Sequence, residues 1–314
     1  MPLIPIADAI RSMKIRGAGR IARAAAKALR DHAETIQTSD CRSFLTEMKQ
    51  AVDLLRNTRP TAVSLPNALH AVMRNTMDAT DAGVARQIII RDADAFIASS
   101  EMAVRHIAVM GANQIRDGDC ILTHCNSEAA LACIIEAKRQ GKDIEVFATE
   151  VRPWNQGRLT IEVLNHHEIP TNYIVDSAVR TFINDIDLAI AGADAVYANG
   201  DVINKIGTSQ IALCAHEART KMIIAAETYK FAPRTMMGEE IPIEERPGSE
   251  VLPGDIAEKL PFVRVRNPVF DLTPAEYIDL IITEAGVIPP QAAPSIIRDH
   301  LGWNISMFEE DLQV

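Results

Sequence analysis

Five short apolar runs alternating with helical patterns set the tightest limit on what this chain can become. They are Cys120–His124, Ile144–Thr149, Thr171–Val175, Asp187–Gly192 and Lys221–Ala226. Between them lie "SEAALACIIEAKRQG", "GRLTIEVLNHH", "SAVRTFIND" and "NKIGTSQIALCAHEA", each with helical spacing. Apolar strands roughly 20–30 residues apart, separated by helices, predict a doubly wound, mostly parallel sheet. "VRVRNPVFDLT" and "YIDLIIT" add strands, and "AAPSIIRDHLGW" adds a helix.

The first part of the chain follows another grammar. Ile6–Met13, "RIARAAAKALRDHAETI" and "CRSFLTEMKQAVDLLRN" carry helical periods, and the Pro-containing "TRPTAVSLPNAL" breaks them. "DAGVARQIIIRDADAFIASSEMAVRHIAVMGANQI" reads as one long helix ending near Gly111. The expectation is an α/β protein: an all-helical N-terminal domain over residues 1–112, then a Rossmann-like domain with a mostly parallel sheet over residues 113–314. "GEEIPIEERPGSE" reads as a solvated loop.

Composition narrows the function. A net charge of −10 argues against gripping nucleic acid or an anionic membrane through a general basic surface. There is no secretory pattern near Met1 and no uninterrupted apolar stretch long enough to span a bilayer. The five cysteines, Cys41, Cys120, Cys125, Cys133 and Cys214, form no paired framework, which fits a reducing cytoplasm. Three of them lie close together, but no C-x-x-C or H-x-x-x-H pairing supports zinc, so no metal is expected.

An open parallel sheet binds ligands beyond the carboxyl ends of its strands. Thr123–Ser127, Thr149–Gly157, Val175–Ser177, Gly192–Asp194 and Ala225–Lys230 fall there, and all bring polar groups directly after apolar runs. Cys125 stands between a strand and a helix. Helix amides would favour its thiolate, while a packed, inert thiol is the plainer alternative. Asp194 follows a strand, where an apolar setting would raise its pKa and make it a proton donor; a turn aspartate is the alternative. Asn204 and Lys205 are expected at the N-terminus of the next helix, where dipole and amides favour anions, although a surface lysine reads the same way. Arg152 and Gln156 are either substrate-orienting groups or parts of a structural loop. Lys230 can reach a phosphate or be solvated.

Gly17-x-Gly19-x-x-Ala22 matches a loose dinucleotide fingerprint but lies between helices, not after a strand. It reads instead as a glycine-relaxed turn opening a helix beside Arg16 and Arg20, either an anion cradle or a plain helix–helix turn.

Together, "IRGAGRIARAAAKAL", "THCNS", "TEVRPWNQG", "GADAVYANGDVINKIGT", "AAETYKF" and "NPVFDLTPAEYIDLIITEAGVIPP" resemble the ribose-1,5-bisphosphate isomerases of archaeal AMP metabolism. These belong with methylthioribose-1-phosphate isomerases and the α/β/δ subunits of initiation factor 2B. The resemblance covers nearly the whole chain. It implies conversion of α-D-ribose 1,5-bisphosphate to D-ribulose 1,5-bisphosphate, with Cys125 and Asp194 catalytic. It implies substrate contacts from Arg16, Gly17, Ala18, Gly19, Arg59, Ser127, Glu128, Ala129, Asn204, Lys205 and Lys230, and Arg20, Arg152 and Gln156 join them from the reading of the residues above. It further implies a homo-oligomer, dimers assembled into a hexamer, AMP as activator, and no cofactor. Where that branch often has a basic residue after the serine, this chain has Glu128, whose side chain is expected to turn away from a phosphate. A methylthioribose-1-phosphate-type isomerase and a non-catalytic regulatory subunit are the competing readings.

Overall fold

Alanine decides how the first helices pack. The computed structural model describes residues 3–15, 17–59, 62–76 and 79–303. Its chain begins with α1 (Leu3–Arg11), α2 (Ala18–Thr35), α3 (Cys41–Arg56) and α4 (Ser64–Met73). On α2, Ala22, Ala25, Ala26, Leu29 and Ala33 are buried at helical spacing, and small side chains let neighbouring helices approach. Phe44, Met48 and Leu55 of α3 fill the space that remains. The Asp40 carboxylate opens α3 by accepting the Ser43 N–H at 2.8 Å. A 31-residue helix, α5 (Ala82–Ala112), follows.

The alternating region then forms a seven-stranded sheet. In chain order its elements are β1 (Cys120–His124), α6 (Glu128–Arg139), β2 (Glu145–Thr149), α7 (Gly157–His166), β3 (Thr171–Ile174), α8 (Val179–Phe182) and β4 (Leu188–Gly192). After β5 (Ala195–Val196) and β6 (Val202–Lys205) come α9 (Thr208–Ala218), β7 (Lys221–Ala225), β8 (Phe270–Thr273), β9 (Leu280–Thr283) and β10 (Gly286–Ile288). The order across the sheet is β10-β9-β7-β4-β1-β2-β3, and every pairing is parallel except the β10 edge. All of β4 is buried, as an inner parallel strand must be when both faces are covered. Ile121, Val146, Ile190, Ile223 and Ile282 form a core with Ala130 and Ile134 of α6. Each such aliphatic side chain contributes roughly 1.5–3 kcal/mol on burial.

Two expectations need correction. Asn204 and Lys205 do not open a helix: they end β6, in antiparallel register with Asp271 and Phe270 of β8. That ladder holds the chain extended until Gly207, whose φ of 103° admits the turn into α9. β5, β6 and β8 make a separate three-stranded sheet. The expected helix at Ser177–Asp185 breaks into short turns, with only Val179–Phe182 α-helical. The loop expected to be solvated has no buried residue from Gly238 to Glu250, and it is anchored where Arg246 N–H donates to the Asn267 carbonyl at 3.0 Å and Val269 N–H to that of Glu244 at 2.9 Å.

The chain clusters into two units. One takes the chain up to Ala103 together with Tyr229–Phe231; the other takes Val104–Thr228 and the chain from Ala232 onward. Within the first unit Tyr229 packs with Ala22 and Ala68, and its ring centroid lies 5.7 Å from that of Phe96. The buried Asn67 amide donates to the Tyr229 and Phe231 carbonyls at 2.9 and 2.7 Å. Among the described residues no helix is long and apolar enough to cross a membrane.

Candidate active site

The parallel sheet delivers Cys125 to the first residue beyond β1, with a backbone φ of 64°. A left-handed conformation in a residue other than glycine costs on the order of 1 kcal/mol and persists only where neighbours impose it. Here Thr160 of α7 donates its hydroxyl to the Cys125 carbonyl at 2.7 Å. The thiol points to the Gln156 Oε1, with Sγ 3.7 Å away. Val151 repeats the conformation at the end of β2, with φ 62°. The Asp176 carboxylate pins that turn by accepting the Val151 and Arg152 N–H groups at 2.9 and 2.8 Å.

Asp194 follows β4 and is half-buried, its N–H bonded to the Ile203 carbonyl of β6 at 2.8 Å. Lys205 ends β6, its ammonium 4.7 Å from the centre of the Phe270 ring. Burial pushes the Cys125 thiol up to about 11; Lys205 and the Asn126 N–H pull it down, and Asp194 and Asp176 push it further up. Cys125, Asp194 and Lys205 therefore share one electrostatic neighbourhood. Desolvation outweighs the one lysine, so the shift runs opposite to the one that helix amides alone would produce.

Ser127 caps α6, accepting the Ala130 N–H at 3.3 Å. Its place depends on Gly192, since a Cβ there would lie 2.3 Å from the Ser127 Oγ. Ala129 is buried, so it offers only backbone, and Glu128 is exposed on the first turn. Asn204 is buried and donates its amide to the Thr208 Oγ1 at 3.0 Å. The helix it was expected to open is closed to anions by the protein itself. Asp271 accepts the Gly207 and Ser209 N–H groups at 2.7 and 3.1 Å, and burial raises that carboxyl to about 6.

Arg152 is exposed. With Gln156 and Lys205 it lines a small open crevice, together with Trp154 and Arg246. The Arg246 guanidinium stacks 3.9 Å from the centre of the Trp154 ring. Trp154, Arg246, Asp176 and Thr160 were not singled out from the sequence, although "RPWNQG" already placed an aromatic beside Gln156.

The remaining expected contacts belong to the first unit. Gly17, with φ 88°, opens α2 without any side-chain cap, and Arg20 is exposed nearby, its Nε 3.6 Å from where a Gly17 Cβ would stand. Ala18 and Gly19 form the first turn of α2 and are half-buried. The Arg59 guanidinium meets the Met13 sulfur. Lys230 is buried in a short 3₁₀ turn. Arg16 lies outside the described residues. Among the described residues no group of three or more histidine, cysteine or acidic side chains is arranged to hold a metal.

A family model described as the Initiation factor 2 subunit family matches residues 14–290. The ribose 1,5-bisphosphate isomerase of Archaeoglobus fulgidus is 52% identical over 301 residues, covering 96% of this chain and 94% of that one. The ribose 1,5-bisphosphate isomerase of Methanocaldococcus jannaschii is 51% identical over 296 residues, 94% of each chain. Among solved structures, the translation initiation factor eIF-2B of Pyrococcus horikoshii superposes with a TM-score of 0.78 at 31% identity, covering 92% of this chain and 97% of that one. Matched over most of its length by the family model, and at about half identity by isomerases within it, this chain belongs to the Initiation factor 2 subunit family and is an enzyme of its isomerase branch.

Proposed function

We propose that the chain converts α-D-ribose 1,5-bisphosphate to D-ribulose 1,5-bisphosphate, with Cys125 and Asp194 as the catalytic pair. The observation that carries this reading is the electrostatic coupling of the Cys125 thiol, just beyond β1, to Asp194, just beyond β4, and to Lys205 at the end of β6. Relatives about half identical over nearly the whole chain are named for that reaction.

The substrate's C1 is locked by phosphate, so isomerisation needs the ring opened and a hydrogen moved from C2 to C1. Asp194 donates its proton to the ring oxygen as the C1–O bond breaks. Cys125, as thiolate, takes the C2 proton, and the electron pair left behind forms the C1=C2 bond of an enol phosphate. The C2 hydroxyl then returns a proton to the Asp194 carboxylate while C1 is protonated, which leaves the ketose. Lys205 offsets charge on the thiolate and on a phosphate. Gln156 orients the thiol. The resemblance assigns a phosphate-binding turn to Arg16–Gly19, beside Arg20, and further substrate contacts to Arg59, Lys230 and Ser127 with the backbone of Glu128 and Ala129. Arg152 and Asn204 complete the set.

A second route fits the burial of Cys125, which pushes its thiol up to about 11. A protonated Cys125 suits direct hydride transfer from C2 to C1, in which it acts only as a polar neighbour. Neither route calls for a metal or redox cofactor, because hydrogen moves within one carbon skeleton. Homo-oligomeric assembly, as dimers in a hexamer, activation by AMP and a cytoplasmic setting belong to the same reading, supported by the shared motif blocks.

The test is incubation of the pure protein with ribose 1,5-bisphosphate in deuterated water. Ribulose 1,5-bisphosphate is the expected product, and its absence overturns the function. Deuterium at C1 selects proton transfer; none selects hydride shift.

A further inference from the structure

A histidine directly before a reactive cysteine invites one reading, a thiolate–imidazolium pair. The geometry around His124 points elsewhere. The ring is buried, 1% exposed. Its Nε2 lies 2.9 Å from the Ile206 carbonyl, and its Nδ1 lies 2.6 Å from the Thr149 Oγ1. A carbonyl can only accept, so Nε2 carries the hydrogen, and in the neutral ring Nδ1 accepts from the Thr149 hydroxyl. Burial lowers the His124 pKa, in the direction of the neutral ring that this bonding requires. Both nitrogens are thus engaged, and the Cys125 thiol turns to Gln156 instead.

These bonds join three strand ends. His124 is the last residue of β1, next to Cys125. Thr149 is the last residue of β2, before the turn that carries Gln156. Ile206 follows Lys205, the last residue of β6. Gly207 closes over the ring: a Cβ there would stand 3.0 Å from the His124 Cε1, so the glycine at this corner serves contact with the imidazole as well as its own positive φ.

We propose that His124 is a positioning residue that acts through Lys205, fixing the corner that bears the lysine against the strand end that bears Cys125. It abstracts no proton and touches no substrate. Its removal lets the β6–α9 corner drift, and a displacement on the order of 1 Å costs up to about 100-fold in turnover. The inference rests on the isomerase reading for its catalytic consequence, but not for its effect on the thiol.

The test is a double-mutant cycle on the full chain with two readouts. One is the pH dependence of Cys125 alkylation by iodoacetamide, followed by mass spectrometry of the peptide carrying Cys125. The other is kcat/KM for ribose 1,5-bisphosphate. The variants are His124→Phe, Lys205→Met and the pair, with circular dichroism to check the fold. Thr149→Val, which removes one clamp bond at nearly constant volume, serves if His124→Phe does not fold. The expected result is that His124→Phe (or Thr149→Val) raises the alkylation midpoint, as Lys205→Met does, and that the pair raises it no further. The kcat/KM losses, about 10- to 100-fold for His124→Phe, are likewise less than multiplicative. Fully independent effects of the two substitutions on alkylation overturn the proposal. So does an unchanged midpoint, or a wild-type midpoint near neutrality that His124→Phe abolishes, which is the mark of an ion pair. Alkylation needs no substrate, so a wild-type protein without isomerase activity sinks the functional reading while leaving the clamp decidable.

Discussion

Two helices that the sequence offers as anion receivers open differently. α2 begins at Gly17 with no side-chain cap among the described residues, whereas α9 begins at Gly207 with its first amides already taken by Asp271. An N-terminus with bare N–H groups gains most from an arriving anion. One sealed by a carboxylate gains nothing and repels a second charge. The α9 corner thus spends its dipole on holding itself together, and its contribution to anion binding reduces to Lys205. The α2 opening has no such carboxylate among the described residues. The comparison separates a corner organised before any ligand arrives from a turn that a ligand would complete.

The largest effect should come from the strand end beside the preorganised corner. Cys125→Ser is expected to lower kcat by at least about 10²-fold, measured as ribulose 1,5-bisphosphate formed; near-normal turnover would remove Cys125 from the chemistry. Next comes Gly192→Ala, whose methyl would collide with the Ser127 Oγ. Overpacking of this kind costs about 1–3 kcal/mol, so the melting temperature should fall by several degrees, and an unshifted melting curve would show that Ser127 has room to move.

Asp271 tests the sealed helix by pH. Its carboxyl is raised from 3.8 to about 6 in the fold, so it contributes stability below pH 3.8 that is lost as the pH climbs through about 6. Asp271→Asn should flatten that part of the stability–pH curve, by on the order of 2 kcal/mol, in denaturant titrations from pH 4 to 7. A slope identical to the wild type would mean that the carboxyl is better solvated than its burial implies. The smallest effect belongs to the bare helix. Arg20→Ala at an exposed site should leave the melting temperature unchanged and raise KM by about tenfold, the equivalent of roughly 1.4 kcal/mol. An unchanged KM would end the case for α2 as a phosphate site.

Strand ends were the legible part. Apolar runs and their punctuation are local, so Cys120–His124 and Leu188–Gly192, with Cys125 and Asp194 just beyond, could be placed without knowing any neighbour. The second sheet was not legible, because Val202–Lys205 is four residues long and its partner, Phe270–Thr273, is distant in sequence. That one long-range pairing turned an expected helix start into a strand end. The state of the Cys125 thiol was equally hidden: a helix behind a cysteine is visible in sequence, but the desolvation that outweighs it arises only when the fold closes. Arg246 sat in a stretch of mixed charge, and nothing local announced its stack on Trp154.

The inclusion of Tyr229–Phe231 in the helical unit has a consequence for the order of synthesis. Everything else in that unit has emerged by Ala103, yet the slot beside Ala22, Ala68 and Phe96 waits for Tyr229. The Asn67 amide waits for the same three residues before its two carbonyl partners exist. A nascent chain must therefore hold an incomplete helical core while the strands up to β7 are translated, a long-range closure of the kind that slows folding. The helical unit is first to be made and cannot be first to be finished.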